Sequence, residues 1–470
     1  MKMHIRKYDF DYSRRVLMEK VALGLGGGVL APAWSTFAKD GEINKAYPDE
    51  LRSIEAQTKG KVKPGDIIDT KNVEAVKHLI DPIMYQQISK MGRRLKMRDK
   101  VTTNIEDMFP YAYLQSTLKN WGKASFDETG NVVETATKGP WIGGSAFPEC
   151  KTGQECMANL TLSWGRHDMS QYAVRSNDTN PDGSQAYTYD LYWTELNTTS
   201  RTEGEPVWGG YKDRLRFQSV FFTAPQEQAG ASFLVPWYYD QRKFPDIYGY
   251  LPQFRRIRQF PANQRFEPIV PGINFFLSDA WAAGDPLLTW GNTKIISRGP
   301  RLVALGGNFR GKSHPNWENH SFHGGGKGKT FIEFTVELAP ECICVESEPT
   351  GYPRAPVGKK HVWVDARNHM IVQYVTYDRR GELWKQVDPS FGPQVEGDFV
   401  NKDRHGKPHW SWTQVHFHDI QANRMSAFHH VKQISGGYMS RYEAPAAEGG
   451  EKGIYDKFLT QAAIARLGAV

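Results

Sequence analysis

The residues best suited to chemistry in this sequence are its fourteen histidines and four cysteines. His314, His320 and His323 crowd one stretch, and His405, His409, His416 and His418 crowd another. His416 and His418 fall two apart in strand-like composition, so their imidazoles would share one face, a spacing used for zinc or non-haem iron. The nearest acid, Asp419, would face the other way, and no His-x-Glu or Glu-x-x-His pattern accompanies the pair. Solvated histidines on a polar face are the expectation. A metal-assisted enzyme using His416 and His418 is the alternative.

Two other motifs invite a chemical reading. Gly324-Gly325-Gly326-Lys327-Gly328-Lys329-Thr330 looks like a phosphate loop, but Walker spacing requires glycine where this chain has His323, and no apolar strand precedes it. A basic loop entering a strand at Phe331 is expected, with no nucleotide. Arg255, Arg256 and Arg258, joined by Arg265, form the most informative polar run. As a strand this run puts Arg256 and Arg258 on one face and Arg255 on the other, with Phe254 and Phe260 in register with the first pair. Guanidinium forks beside aromatics can grip a headgroup or carboxylate at a cavity mouth, so Arg256 and Arg258 are the candidate ligand-binding residues. The competing reading is a solvated edge paired with acids. No Ser-His-Asp, Cys-His or spaced carboxylate pair stands out, and no catalytic residue is assigned.

The N-terminus reads as an export address. Arg14 and Arg15 precede a weakly apolar stretch from Val21 to Trp34 containing four glycines, which resembles a twin-arginine signal peptide. Cleavage after Ala33 or Ala38 is expected, giving a periplasmic protein with residues 1–38 as its signal. No cysteine follows either point, so no lipid anchor is implied. The formal charge of +7 falls to +4 without residues 1–38, which hold six Lys/Arg against three Asp/Glu. That mild balance does not argue for nucleic acid. In an oxidising compartment, Cys150 and Cys156 bracket a polar loop containing Gly153, and a local disulfide is expected between them. Cys342 and Cys344 would point the same way from one strand, which is awkward for a bond. Neither pair shows enough convergent ligands for zinc, and no cofactor is expected.

The elements that must position these residues read mostly as strands. Mean hydropathy is -0.58 with 39% hydrophobic and 24% charged residues, which excludes a polytopic membrane protein, a disordered chain and a small disulfide scaffold. Residues 39–60 form a polar leader. Asn72 caps a helix through Val76, Leu79 and Ile80 that ends at Asp81-Pro82, and a second helix carries Ile83, Met84, Ile88, Met91 and Leu95. Arg93, Arg94, Lys96 and Arg98 form its wetted end. Residues 187–193 and 215–221 alternate as strands. In Phe331 to Leu338 the apolar Ile332, Phe334, Val336 and Leu338 oppose Glu333, Thr335 and Glu337, the pattern of a half-buried antiparallel strand. Hairpins turn at Asp365–Asn368 and at Asp378–Gly381, where glycine supplies a positive φ. Residues 411–418 and 425–434 pair next, and one helix from Ile454 to Leu467 docks on the sheet. No repeat, linker or alternating long helices interrupt the pattern. The fold class is α+β: one large, curved, incompletely closed antiparallel sheet with helices on its concave side, in a single domain over 61–470.

Five segments carry a resemblance to a known family. They are Gly65-Asp66-Ile67-Ile68 with Asn72-Val73, Gly143-Gly144-Ser145-Ala146-Phe147-Pro148, Pro252 to Arg258, Asp279 after Pro271-Gly272, and Asp378-Arg379-Arg380-Gly381-Glu382-Leu383-Trp384. Ala146 stands where the family usually has proline. The chain resembles the DUF1329 proteins, which are similar to the LolA/LolB lipoprotein carriers. That resemblance implies a half-barrel whose helices plug an apolar cavity, which the 24 Phe, 21 Tyr and 14 Trp could line. It transfers no catalytic residues. It implies noncatalytic periplasmic binding or transfer of a lipid or other hydrophobic molecule, peripheral to the outer membrane. The partners it implies are an envelope transporter or outer-membrane protein. A structural envelope protein is the third alternative.

Overall fold

The computed structural model describes Trp34, Phe37 and residues 42–262 and 264–469. Arg14, Arg15 and both expected cleavage points lie outside these. Among the described residues no helix is long and apolar enough to cross a membrane.

Fifteen strands form one sheet. In chain order they are β1 (Ile67–Ile68), β2 (Leu95–Met97), β3 (Met169–Thr179), β4 (Gln185–Asn197), β5 (Arg214–Ala224), β6 (Ser232–Tyr238), β7 (Ile247–Leu251) and β8 (Arg256–Phe260). They continue as β9 (Gly291–Val303), β10 (Phe334–Glu348), β11 (Val357–Asp365), β12 (Ile371–Asp378), β13 (Leu383–Pro393), β14 (Trp410–Asp419) and β15 (Arg424–Val431). Their spatial order is β1-β2-β10-β11-β12-β13-β14-β15-β3-β4-β5-β6-β7-β8, with β9 also on β10. Every pairing is antiparallel except β2 with β10. The outer strands β1 and β8 do not meet, so the sheet stays open. This is the expected α+β half-barrel arrangement.

Local chemistry explains the turns. Asp378 accepts from the amides of Arg380 (2.8 Å) and Glu382 (3.0 Å), while Gly381 takes φ +80°, closing the β12–β13 hairpin. Gly143 is required for a different reason. A Cβ there would sit 1.8 Å from the Arg201 carbonyl oxygen, at a φ of +101° that side chains avoid.

Helices pack on both faces, whereas the sequence implies the concave side alone. α1 (Pro82–Met91) starts at Asp81, whose carboxylate accepts from the Ile83 and Met84 amides. Asp81 thus opens this helix as well as ending the turn before it. α2 (Tyr111–Asn120) and α3 (Gly153–Leu162) join the largest core cluster, which includes Trp34, Trp141, Trp193 and Trp237. The C-terminal segment forms two helices, α4 (Gly450–Phe458) and α5 (Gln461–Gly468), not one. Thr460 breaks it by accepting from the Ala463 amide as the cap of α5. Both belong to a core cluster with Ala173, Tyr192, Phe217 and Phe221.

Two expectations about wetted surfaces and one about a disulfide are corrected. Residues 331–338 divide at Glu333, and β10 is buried on both faces: Glu337 is 1% exposed and accepts from Arg98 and Thr102. Arg93 is fully buried in an ion pair with Asp388. Cys150 and Cys156 do not form the expected disulfide. Their sulfurs lie 3.3 Å apart, well beyond a bond of about 2.05 Å, and all four cysteines are free and buried.

Candidate functional site

The register builds one aromatic wall across half the sheet. Tyr172 of β3 pairs with Trp193 of β4, Trp193 with Val220 of β5, Val220 with Phe233 of β6, Phe233 with Gly249 of β7, and Gly249 with Arg258 of β8. Directly paired residues share a face, so this row runs from buried tyrosine and tryptophan to an exposed arginine at the outer edge. Val415, Phe417 and Phe428 extend the wall over β14 and β15.

A segment of the chain itself covers the wall. Phe275, Ala280 and Trp281 stand against Tyr172, Val174, Leu191, Trp193, Trp412, Val415, Phe417 and Phe428, and the remaining space is about 20 Å³. That is room for roughly one water. The ligand-sized cavity expected behind the aromatics is therefore filled. Phe275 packs edge-on to Phe417 and Trp193, and Trp281 packs on Trp412.

The covering segment is fastened by polar side chains and not by strand pairing to the sheet. Lys385 forms a buried ion pair with Asp279 and also donates to the Asn274 carbonyl. Tyr374 donates to the same carboxylate, which in turn accepts from the Phe276 amide at 2.9 Å. Lys360 donates to the Ala282 carbonyl at 2.6 Å and lies 3.8 Å over the Trp290 ring; burial pushes its ammonium down to about 8. Arg265 pairs with Asp285, and Trp290 donates to Asp285 at 2.9 Å. Between these fastenings, Trp281 and Ala282 take φ values of +49° and +59°. Two successive left-handed side-chain residues store strain that only the surrounding contacts can hold.

The predicted arginines separate. Arg256 and Arg258 are exposed on β8, and the row above puts Arg258 on the wall's face, with Arg256 beside it two residues away. Among the described residues no carboxylate pairs with either. Arg258 lies 3.8 Å over the ring of Phe254, itself 44% exposed. Arg255 precedes the strand at φ +48°, off the β8 ladder. Arg265 is buried in the covering segment's ion pair, away from the run.

The expectation of wetted histidines holds for His320, whose side chain is 62% exposed, and fails for the strand pair. His416 and His418 are fully buried beneath α1, on the opposite face of the sheet from the wall. His416 Nε2 accepts from the Ile332 amide at 3.0 Å, its ring stacks on Phe334, and its Nδ1 lies 3.8 Å from Asp388. His418 Nδ1 lies 2.8 Å from Gln87 Nε2. Burial pushes their imidazoles down to about 4 and about 3, so both are neutral at pH 7. Among the described residues no group of three or more His, Cys, Asp or Glu converges as a metal site. The glycine-rich loop at Gly324 leads into a two-residue strand at Phe331–Ile332 and lacks the following helix of a phosphate loop.

Comparison with known proteins follows this geometry. Residues 67–464 match the family described as "Protein of unknown function (DUF1329)". The chain belongs to the DUF1329 family. A solved DUF1329 protein from Desulfovibrio piger is 13% identical, over 59% of this chain and 89% of that one, with a TM-score of 0.38. A putative outer membrane lipoprotein-sorting protein domain from Vibrio parahaemolyticus is 14% identical, over 67% and 98%, at 0.41. A LolA superfamily protein from Nitrosomonas europaea is 12% identical, over 59% and 90%, at 0.33. No curated protein sequence matches. The DUF1329 match spans all but one of the resemblance segments in full; of the first, Gly65-Asp66 precede its start.

Proposed function

We propose that this DUF1329 chain is a noncatalytic periplasmic protein that binds or transfers a lipid or other hydrophobic molecule, serving an envelope or outer-membrane transport system. The observation that carries this is the aromatic wall and its cover. An irregular segment that adds no strand to the sheet covers this continuous apolar face through ion pairs and carbonyl contacts. An apolar tail entering in place of Phe275 and Trp281 gains roughly 0.8 kcal/mol per buried CH₂. An anionic head cannot follow cheaply, because an unpaired buried charge costs several kcal/mol. It stops at the wetted edge, where Arg256 and Arg258 lie on the wall's own face and, among the described residues, no carboxylate pairs with either.

Fluorescence displacement titrations test this. Changing Arg256 and Arg258 to methionine should weaken a fatty acid while sparing a fatty alcohol of equal chain length, and more so at low salt. Arg255→Met should change neither. Equal weakening of both ligands, or of neither, would contradict the collar. The metal-enzyme alternative predicts stoichiometric iron, copper or zinc in untagged protein. Each of its two imidazoles already has a neighbour at one ring nitrogen.

A further inference from the structure

The chain turns between β7 and β8 at residues 252–255, the outer end of the aromatic wall, and this tip is basic and aromatic at once. Phe254 is 44% exposed, and Arg255, Arg256 and Arg258 are exposed beside it. Among the described residues no carboxylate pairs with any of the three arginines. The neighbouring β5–β6 turn, which approaches Pro252 at Gly230, adds one exposed acid, Glu227, and no ion pair links it to the tip. Three exposed cations beside a single acid leave this end of the sheet positive.

An edge strand ordinarily carries charges that keep another sheet from pairing with it. That accounts for Arg256 and Arg258 on β8. It does not account for Arg255, which lies off the ladder at φ +48°, or for a phenyl ring exposed at the turn with Arg258 3.8 Å over its face. A protein strand added to β8 would meet the ladder and leave Phe254 and Arg255 in water. A lipid surface would meet all four side chains, with the guanidinium groups among phosphates and the ring at the headgroup boundary. The wall also reaches this edge through apolar side chains: Phe233 and Phe260 are half-buried, with ring centres 6.1 Å apart, and Phe260 lies over Gly249 of the wall. A tail that crossed here into a bilayer would stay out of water. We propose that the β7–β8 tip docks the protein on an anionic lipid surface and that ligand tails are exchanged across this edge. The exchange rests on the ligand reading above; the docking does not.

Flotation of protein purified from its own cells tests this, with phosphatidylcholine vesicles made with and without phosphatidylglycerol. The protein should float with the mixed vesicles and stay behind with phosphatidylcholine alone, and added salt should release it. One arginine near an anionic surface contributes roughly five-fold in binding, so Arg255→Met should weaken flotation by about that factor. The same substitution should leave fatty-acid displacement unchanged, which separates docking from the ligand collar. Phe254→Ser should weaken flotation as well. Both side chains are exposed, so the urea midpoint of each variant should match wild type. No flotation on mixed vesicles, equal flotation on both kinds, or full flotation of both variants would overturn the docking; a tip that serves only an acidic protein strand predicts the first of these. Flotation as expected, with no displacement of a fluorescent fatty acid by any amphiphile, would sustain the docking and overturn the exchange.

Discussion

Asp279→Asn is the sharpest probe of how the aromatic wall is covered. The side chains of Lys385 and Asp279 are 2% and 4% exposed, so removing one charge strands the other away from water. Breaking a buried pair in this way costs about 3–5 kcal/mol. The lysine can escape by shedding its proton, which limits the loss to about 4.6 kcal/mol at pH 7, the cost of neutralising an ordinary lysine. Burial already lowers the Lys385 ammonium, which favours that escape. Tyr374 donates to one carboxylate oxygen and the Phe276 amide to the other; asparagine keeps the Phe276 bond through its oxygen and turns its NH₂ to the Tyr374 hydroxyl, which can accept, so the charge is the main loss. If the segment opens independently of the sheet, amide exchange over residues 273–290 should accelerate by roughly two to three powers of ten. Strands β3 and β4 should keep their wild-type protection. Adding Lys385→Met removes the stranded charge and should recover the segment to within about 1–2 kcal/mol of wild type. Hydrogen exchange with mass spectrometry reads both variants. Equal acceleration in β3 and β4, or no recovery in the double variant, would refute the reasoning.

Acid should destabilise the protein. His369, His416, His418, His429 and His430 are buried, with imidazoles pushed down to about 3 or 4, whereas unfolded imidazoles titrate near 6.5. Above that pH they contribute no slope. Below it the unfolded chain takes up protons that the fold excludes, at up to about 1.4 kcal/mol per pH unit each. Asp178, raised to about 7 by burial, acts with the opposite sign as pH falls. With His167 and His323, lowered to about 3 and about 4, seven imidazoles should outweigh Asp178 and the other carboxyls that burial raises, and lower the urea midpoint between about pH 7.5 and 5.5; an unchanged midpoint would refute it. Burial raises the thiols of Cys150, Cys342 and Cys344, so a thiol reagent should modify none of them in native protein and all after unfolding. Lysine substitutions at Arg14 and Arg15 should strand precursor in the cytoplasm, and unchanged export would reject the twin-arginine route.

The hairpins were legible because their signals are local. Asp378 and Gly381 make their own turn, and the alternation on either side needs no distant partner. The polar layer under α1 was not legible. His416 and His418 alternate with Val415 and Phe417 as a wetted face would, yet their cover is Gln87, Phe331 and Phe334, far away in sequence. The charges sharing that interior, Arg93 and Asp388, are 295 residues apart. Alternation reports that two faces differ and is silent on whether both are buried. Glu337 misled in the same way. The covering segment has neither period, so only Asp279 stood out, as a motif residue. Its meeting with Lys385 and Tyr374 depends on tertiary register. Arg256 and Arg258 were placed correctly on one face because a two-residue period survives at an edge strand, while Arg255 fell into the preceding turn.

Native mass spectrometry of untagged protein purified from its own cells, followed by organic extraction, tests the central claim most directly. The account predicts a discrete mass excess that organic solvent removes, recovered as an amphiphile with an apolar tail, with more of it on Asp279→Asn protein. Bare polypeptide mass for both proteins, together with no uptake of added fatty acid by the Asp279→Asn variant, would contradict it.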